Sequence, residues 1–368
     1  MNDNNVKQLT SEAVELLKRL IAIPSVSRDE ARAADEIERF MIDAGLAPHR
    51  HGNNVWVVAP NYDEAKPTIL LNAHIDTVKP VSTWTRDPFT PVVEDGRLYG
   101  LGSNDCGGGL VSLLVAFWEI TSKTIHSLPS GRVGEGGGAN LIYLVSCEEE
   151  VSGANGISSV LPLLPKIDVA VVGEPTGMQP AIAEKGLMVI DGVAHGKSGH
   201  AARNEGVNAI YEALDDLVWL RDYRFEKVSP LLGPTKMTVT VLHSGTQHNV
   251  VPDKCEFTID VRTNEYYTNE EVFEFLQKHT KSDLKARSFR LHSSSIPEDH
   301  PLIARCKALG MQPFGSPTLS DQALMSFPSF KLGPGESSRS HSADEFVKIS
   351  EIENAIDTYL QLLANANS

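Results

Sequence analysis

Apolar runs of strand length recur at Asn54 to Ala59, Thr68 to Ala73, Ala139 to Ser146 and Asp168 to Val172, separated by helical patterns such as Leu110 to Ile120 and Ile157 to Leu164. Strands alternating with helices in this way predict an α/β domain built on a largely parallel sheet. Two helices precede the first strand. One runs around Val14, Leu17 and Ile21 and is stopped by Pro24; the other is introduced by the capping box Ser27-Arg-Asp-Glu30 and ends near Gly45.

From about Ala181 the rhythm changes. A strand at Leu187 to Ala194, a helix at Asn208 to Arg221, strands at Lys236 to Leu242 and Glu256 to Arg262, a helix at Asn269 to Lys278 and a strand near Phe289 follow one another. That order is the split βαβ arrangement of a small α+β sheet domain. The remaining segment returns to α/β character, with a helix after Pro301, a strand at Phe330 to Leu332 and a helix from Ser350 to Leu363. The small sheet domain, residues 181–293, is therefore expected as an insertion between two parts of one domain, residues 1–180 and 294–368. The glycine-rich stretch Pro129 to Gly138 reads as a surface loop without an evident function.

Composition narrows the function classes. Lys and Arg number 33 against 48 Asp and Glu, and the net charge of -15 repels phosphate backbones and anionic lipid surfaces. Neither nucleic acid nor membrane is an expected partner. No secretory signal pattern opens the chain, so the expected compartment is the cytoplasm. Cys106, Cys147, Cys255 and Cys306 are too few and too scattered for a disulfide framework, and are expected to be reduced.

The chemistry-bearing residues cluster where strands end. His74-Ile-Asp76 follows the run Thr68 to Ala73, at the kind of strand end where open α/β sheets place ligands. A carboxylate two residues beyond a histidine can orient its ring. Gly100-Leu-Gly-Ser-Asn-Asp105-Cys-Gly-Gly108 looks like a dinucleotide loop, but Asp105 stands where the third glycine belongs and its charge would oppose a pyrophosphate. Gly192 to Ser198 likewise misses a phosphate-binding loop, since Asp191 replaces its first glycine. Asp105 can serve as a helix N-cap or as a metal-bridging carboxylate. Cys147-Glu148-Glu149-Glu150 sets three acids directly after a buried strand, which is either a solvated turn or a site that cations offset. Glu174 again ends an apolar strand, and His341 is the single imidazole of the glycine-punctuated loop Gly333 to Glu345. Two histidines and three acids on strand ends and loops match the mixed nitrogen and oxygen donors of a catalytic two-zinc site better than a structural thiolate site.

Together these motifs resemble the co-catalytic zinc amidohydrolase and exopeptidase family that includes acetylornithine deacetylase, succinyl-diaminopimelate desuccinylase, aminoacylase and glutamate carboxypeptidase. The likeness spans nearly the whole chain: HxDTV at His74 to Val78, GxGxxD at Gly100 to Asp105, the EE-V-x-G strand end at Glu149 to Gly153, GEPT at Gly173 to Thr176, and the closing histidine loop. It implies a zinc exopeptidase-like catalytic domain interrupted by a ferredoxin-like dimerisation domain. It further implies two zinc ions, with cobalt or manganese as alternatives. Asp105 would bridge them, His74 and Glu174 would complete one site, and Glu150 and His341 the other. Glu149 would be the general base, beside Asp76, and Glu148 would stand where relatives often carry Asp. In the inserted domain, the resemblance makes His200 a catalytic histidine and Asn249 and Arg262 substrate contacts, with Arg262 on the α-carboxylate. Such a guanidinium fork suits a planar carboxylate.

Two departures stand out: Gly107 sits where many relatives carry Lys, and Arg339 precedes His341 where relatives have small residues, which suggests a part for it in substrate choice. The implied reaction is hydrolysis of the amide of a small N-acyl amino acid, acetylornithine or N-acetylcitrulline or an N-succinyl amino acid first. A homodimer formed through the inserted domain is implied as well. A dipeptidase or carboxypeptidase, a succinyl-diaminopimelate desuccinylase, and a non-catalytic binder of amino-acid derivatives are the competing readings.

Overall fold

The computed structural model of the chain describes residues 3–60, 62–127 and 138–364. It divides into two compact units, Met1–Ile182 with Ile296–Phe314 and Ser320–Ser368, and Ala183–Ser295 with Gly315–Leu319. The short Gly315–Leu319 segment, which nothing in the apolar pattern marks, groups with the second unit. The stretch Pro129–Gly138 lies, but for Gly138, outside the described residues.

In the first unit the strands Asn140–Ser146, Thr68–His74, Val169–Val172 and Ser329–Lys331 run parallel, in that spatial order. Their near-continuous apolar character follows from burial on both faces. The hairpin His49–His51 and Asn54–Val58 joins antiparallel beyond Asn140–Ser146, and Ala181–Glu184 joins antiparallel beside Ser329–Lys331. One face packs Leu71, Tyr143, Val171 and Phe330 against the helices Asp3–Ile21, Gly108–Ser127 and Ile349–Ala364. The other face packs Leu70, Ile142, Leu144 and Ala170 against Ile157, Val160 and Phe327. Each fully buried Leu or Ile contributes about 1.5–3 kcal/mol, so this apolar body is what holds the acids at its edge in place.

Two local expectations change. The helix expected over Ile157 to Leu164 is α-helical only over Ile157–Val160 and continues as a 3-10 turn Leu161–Leu163, since Pro162 removes a donor. The helix Ala31–Asp43 begins without a side-chain cap at Glu30, so Ser27-Arg-Asp-Glu30 is not a capping box; both outer residues are used at the site described below.

The second unit is a four-stranded antiparallel sheet in the order Lys236–Ser244, Lys254–Arg262, Met188–His195, Asp283–Ala286. With the helices Ala209–Asp222 and Asn269–His279, the latter opened by a Thr268/Glu271 capping box, this is the ferredoxin-like arrangement. The last strand ends at Ala286, ahead of Phe289, which instead packs its ring against Phe273. Alternating burial along Met188–His195 matches a sheet with one covered face, over Ile190, Phe257, Ile259, Val272 and Leu276. All four cysteines are buried, and none is in a disulfide. Among the described residues, no helix is long and apolar enough to cross a membrane.

Candidate active site

The parallel strands bring their C-terminal ends to one edge of the sheet. His74 pairs in register with Ser146, and Asn72 with Val172, so His74, the acids after Ser146 and Glu174 are delivered side by side. Gly109 at the head of the long helix meets Gly173 so closely that a Cβ on Gly109 would stand 1.7 Å from the Gly173 carbonyl oxygen. That approach seats the Asp105 turn against the strand bearing Glu174.

Asp105 is the centre of the site. Its Oδ1 lies 3.1 Å from His74 Nε2, and its Oδ2 lies 3.5 Å from His341 Nε2. His74 Nε2 is also 3.5 Å from Glu174 Oε1, and His341 Nε2 is 2.9 Å from Glu150 Oε2. The peptide between Asp105 and Cys106 is cis.

The three consecutive acids are sorted by direction. Glu148 is buried with a left-handed φ of 55°, and its carboxylate turns back to accept from the backbone N–H and Nδ2 of Asn155. Gly153 is pressed against that side chain. Glu150 faces His341, and Glu149 lies among the charges of His74, Glu174 and Asp321.

Asp76 does not orient His74 by its carboxylate, as the sequence suggests. The backbone oxygen of Asp76 lies 2.9 Å from His74 Nδ1, whereas the nearer carboxylate oxygen is 3.7 Å away. The carboxylate instead accepts from the backbone N–H of Glu149 and of Glu150, at 3.0 and 3.1 Å, and from Ser27 Oγ at 2.7 Å. Glu30 accepts from Asn53 Nδ2 at 2.9 Å and from the Glu148 N–H at 3.3 Å. Ser27 and Glu30 thus brace the acidic turn, which their spacing in sequence disguises as a helix start.

Electrostatics follow from burial and crowding. Burial, with the charges of Glu174, Asp321 and Glu150, holds the Glu149 carboxyl well above the usual range, although His74 opposes this. Burial and the Asp105 charge push Glu174 up to about 8, against His74 and Lys331. Burial would also raise Asp105, yet the hydrogen bond and charge of His74, Ser340 and the charge of His341 keep it below its usual value. His341 is pushed up to about 9, chiefly by its hydrogen bond to Glu150. Two like charges 4 Å apart repel by about 4 kcal/mol at an effective dielectric near 20, so acids at this density need cations or protons between them.

The donors fit a divalent cation. His74, Asp105 and Glu150 present ligand atoms within 4.8 Å of one another, and so do His74, Cys106 and Glu174. Glu174 Oε1 is buried and accepts no hydrogen bond, an unsatisfied oxygen aimed into the cluster. Carboxylate and imidazole donors suit zinc, manganese or cobalt alike.

Both departures noted in the sequence gain a physical reason. A Cβ on Gly107 would stand 2.4 Å from the Gly102 carbonyl oxygen and 2.6 Å from Leu17 Cδ1, so the backbone here has no room for the relatives' lysine. Arg339 is engaged within its own unit. Its guanidinium makes two hydrogen bonds to Glu351, at 2.7 and 2.9 Å, and lies 4.6 Å over the Phe346 ring.

The second unit carries the other candidates. His200 is exposed, and its Nδ1 accepts from the Ala202 N–H at 3.1 Å. Asn249 is exposed, and its backbone oxygen accepts from the Ala201 N–H at 3.0 Å. Arg262 forms a two-point pair with Asp260, at 2.9 and 3.1 Å. The residue that sequence reasoning missed is Glu345, buried under the Asp105 turn and pushed up to about 8 by burial and the Asp105 charge, against three backbone N–H groups.

The pattern describing Peptidase family M20/M25/M40 matches residues 70–365. An acetylornithine deacetylase of Proteus mirabilis is 29% identical over 96% of this chain and 96% of its own length. A succinyl-diaminopimelate desuccinylase of Wolbachia pipientis is 25% identical over 96% of this chain and 93% of its own. Among solved structures, the aminopeptidase PepT of Bacillus cereus superposes with a TM-score of 0.76 at 16% identity, each chain covered in full (100%). The YXEP protein of Bacillus subtilis, described as a dinuclear metal binding peptidase, superposes with a TM-score of 0.74 at 17% identity, covering 98% of this chain and 99% of its own. With its strand-end acids and histidines gathered about one aspartate, the chain belongs to Peptidase family M20/M25/M40 and is a metallo-hydrolase of that family.

Proposed function

We propose that the protein hydrolyses the amide bond of an N-acyl amino acid, using two divalent ions, zinc first and cobalt or manganese as alternatives. Asp105 would bridge the ions, His74 and Glu174 would hold one, and Glu150 and His341 the other. The observation that carries this reading is that the two oxygens of Asp105 face different histidines, Oδ1 toward His74 and Oδ2 toward His341. When bound, the ions would supply Lewis-acid charge stabilisation and lower the pKa of a water toward about 7.

Glu149 takes the proton of the attacking water and returns it to the leaving amine; a buried carboxyl with a raised proton affinity suits both steps. His200 accepts at Nδ1, so its ring proton sits on Nε2, ready to donate to the developing oxyanion. Arg262 keeps N–H groups beyond the two that Asp260 engages, available to a substrate α-carboxylate with Asn249 beside it in role. The names of the relatives favour an acetylated or succinylated amino acid, acetylornithine first, over a dipeptide.

Two copies would pair through the second unit. Tyr211, Leu214 and Val218 on its helix and Val241 and Leu242 on its edge strand are exposed, and Leu242→Glu should shift a dimer to monomer in sedimentation. The primary test is release of free amino acid from a panel of N-acetyl and N-succinyl amino acids and dipeptides by zinc-loaded protein, with Glu149→Ala as control. Hydrolysis of one acylated amino acid, lost in the control, supports the reading. Hydrolysis of dipeptides alone moves it to a peptidase, and ligand binding without hydrolysis to a binding protein.

A further inference from the structure

Glu345 is 2% exposed and belongs to no candidate ligand set. Its Oε1 accepts from the backbone N–H of Asn104 at 2.8 Å and of Asp105 at 2.9 Å, and its Oε2 from the N–H of Gly102 at 3.1 Å. Its own carbonyl oxygen accepts from the Gly100 N–H at 3.0 Å. A buried carboxylate spent on three main-chain donors is poorly placed to hold a cation as well, and those donors define the turn that carries Asp105.

A second clamp joins the same two segments. Asn104 Oδ1 accepts from the Glu336 N–H at 3.0 Å, while Asn104 Nδ2 donates to the Glu336 carbonyl at 3.1 Å and to Ser340 Oγ at 3.3 Å. Glu336 precedes His341 and Glu345 follows it. The Asp105 turn is therefore tied to the His341 loop on both sides of the histidine. His341 itself adopts a left-handed φ of 58°, a conformation that a loop held at one end only would have little to sustain.

We propose that Glu345 is a positioning residue for the metal site, holding the Asp105 turn in register with the His341 loop so that one carboxylate serves both histidines. The inference rests on the two-metal reading above. Loss of such an outer contact typically costs 10- to 100-fold in metal affinity.

The test is equilibrium titration of metal-free protein with zinc against a competing chelator, for the wild type, Glu345→Gln and Glu345→Asp, with the absorption spectrum of the cobalt-loaded forms as second readout. Wild type binding no zinc would sink the two-metal reading itself. Given zinc binding by wild type, the expected result is affinity about 10- to 100-fold weaker in Glu345→Gln, an altered cobalt spectrum, and partial recovery of both in Glu345→Asp, while the circular dichroism of the metal-free forms stays that of wild type. Unchanged affinity and spectrum in a folded Glu345→Gln protein overturns the proposal. Should Glu345→Gln fail to fold, Glu345→Asp decides alone: weakened zinc binding supports the role, and wild-type binding overturns it.

Discussion

The two units treat most of their candidate residues differently, His341 of the first unit, its side chain 56% exposed, being the exception. In the first, His74 and Asp76 are 2% and 1% exposed, and the acidic turn is fixed through main-chain hydrogen bonds to Asp76 and Glu30. In the second, His200 stands exposed on the two-residue strand Gly199–His200, Asn249 stands exposed just before its partner strand Val250–Val251, and Arg262 is half-buried against Asp260. The difference suits a division of labour. Donors for a cation bind it more tightly when the fold has already brought them together, because the ion then offsets their mutual repulsion without having to order the loops as well. Groups that meet a substrate must be reachable.

The largest effect expected on this view comes from Glu149→Ala, which should lower kcat by about 10²- to 10⁴-fold while zinc content, measured by atomic absorption, stays at the wild-type level. Next, His200→Ala should lower kcat by about 10²- to 10³-fold and also leave zinc content unchanged. If that substitution emptied the site of metal, the separation between the units would collapse.

A third, graded effect sharpens the account of the first unit. A cation at His341 Nε2 must displace a proton held up to about 9 by Glu150, so zinc affinity should fall as pH drops below that value, by about tenfold per unit for that proton and more steeply below about 8, where Glu174 holds a proton too. Chelator titrations at several pH values will read this directly; a flat profile would show that no such proton is displaced.

The smallest effect belongs to Arg339→Ala, about 1 kcal/mol by chemical denaturation, with little change in KM. Burial would raise the Glu351 carboxyl, yet Arg339 and the Lys348 N–H hold it below its usual value. Its contribution to stability is therefore present above the unfolded value near about 4.3 and is lost as pH falls through the lower folded value. A large rise in KM instead would return Arg339 to substrate recognition.

Much of this architecture is legible in the residues themselves, for a physical reason. A strand buried on both faces must be apolar along its length, so a histidine or acid directly after it announces the end of the sheet, as at His74, Glu148 and Glu174. The edge strand Asp283–Ala286 carries no such mark, since half of its side chains face water, and the nearest strong apolar signal, Phe289, lies beyond its end. Glu345 and Ser27 stay silent for another reason. What they bind is backbone N–H or a carboxylate brought near by the fold, and no spacing in sequence encodes either partner.

The tight backbone at Gly107 bears on how such enzymes can exchange parts. Because the Gly102 carbonyl oxygen and Leu17 occupy the space a side chain would need, a motif transplanted from a lysine-bearing relative cannot be accepted here by itself. The graft would have to bring a shifted Gly102 turn and a smaller neighbour on the first helix. A single-letter difference within a signature is here a difference in the floor beneath it, and the two spellings are separated by a step that no one substitution can cross without strain.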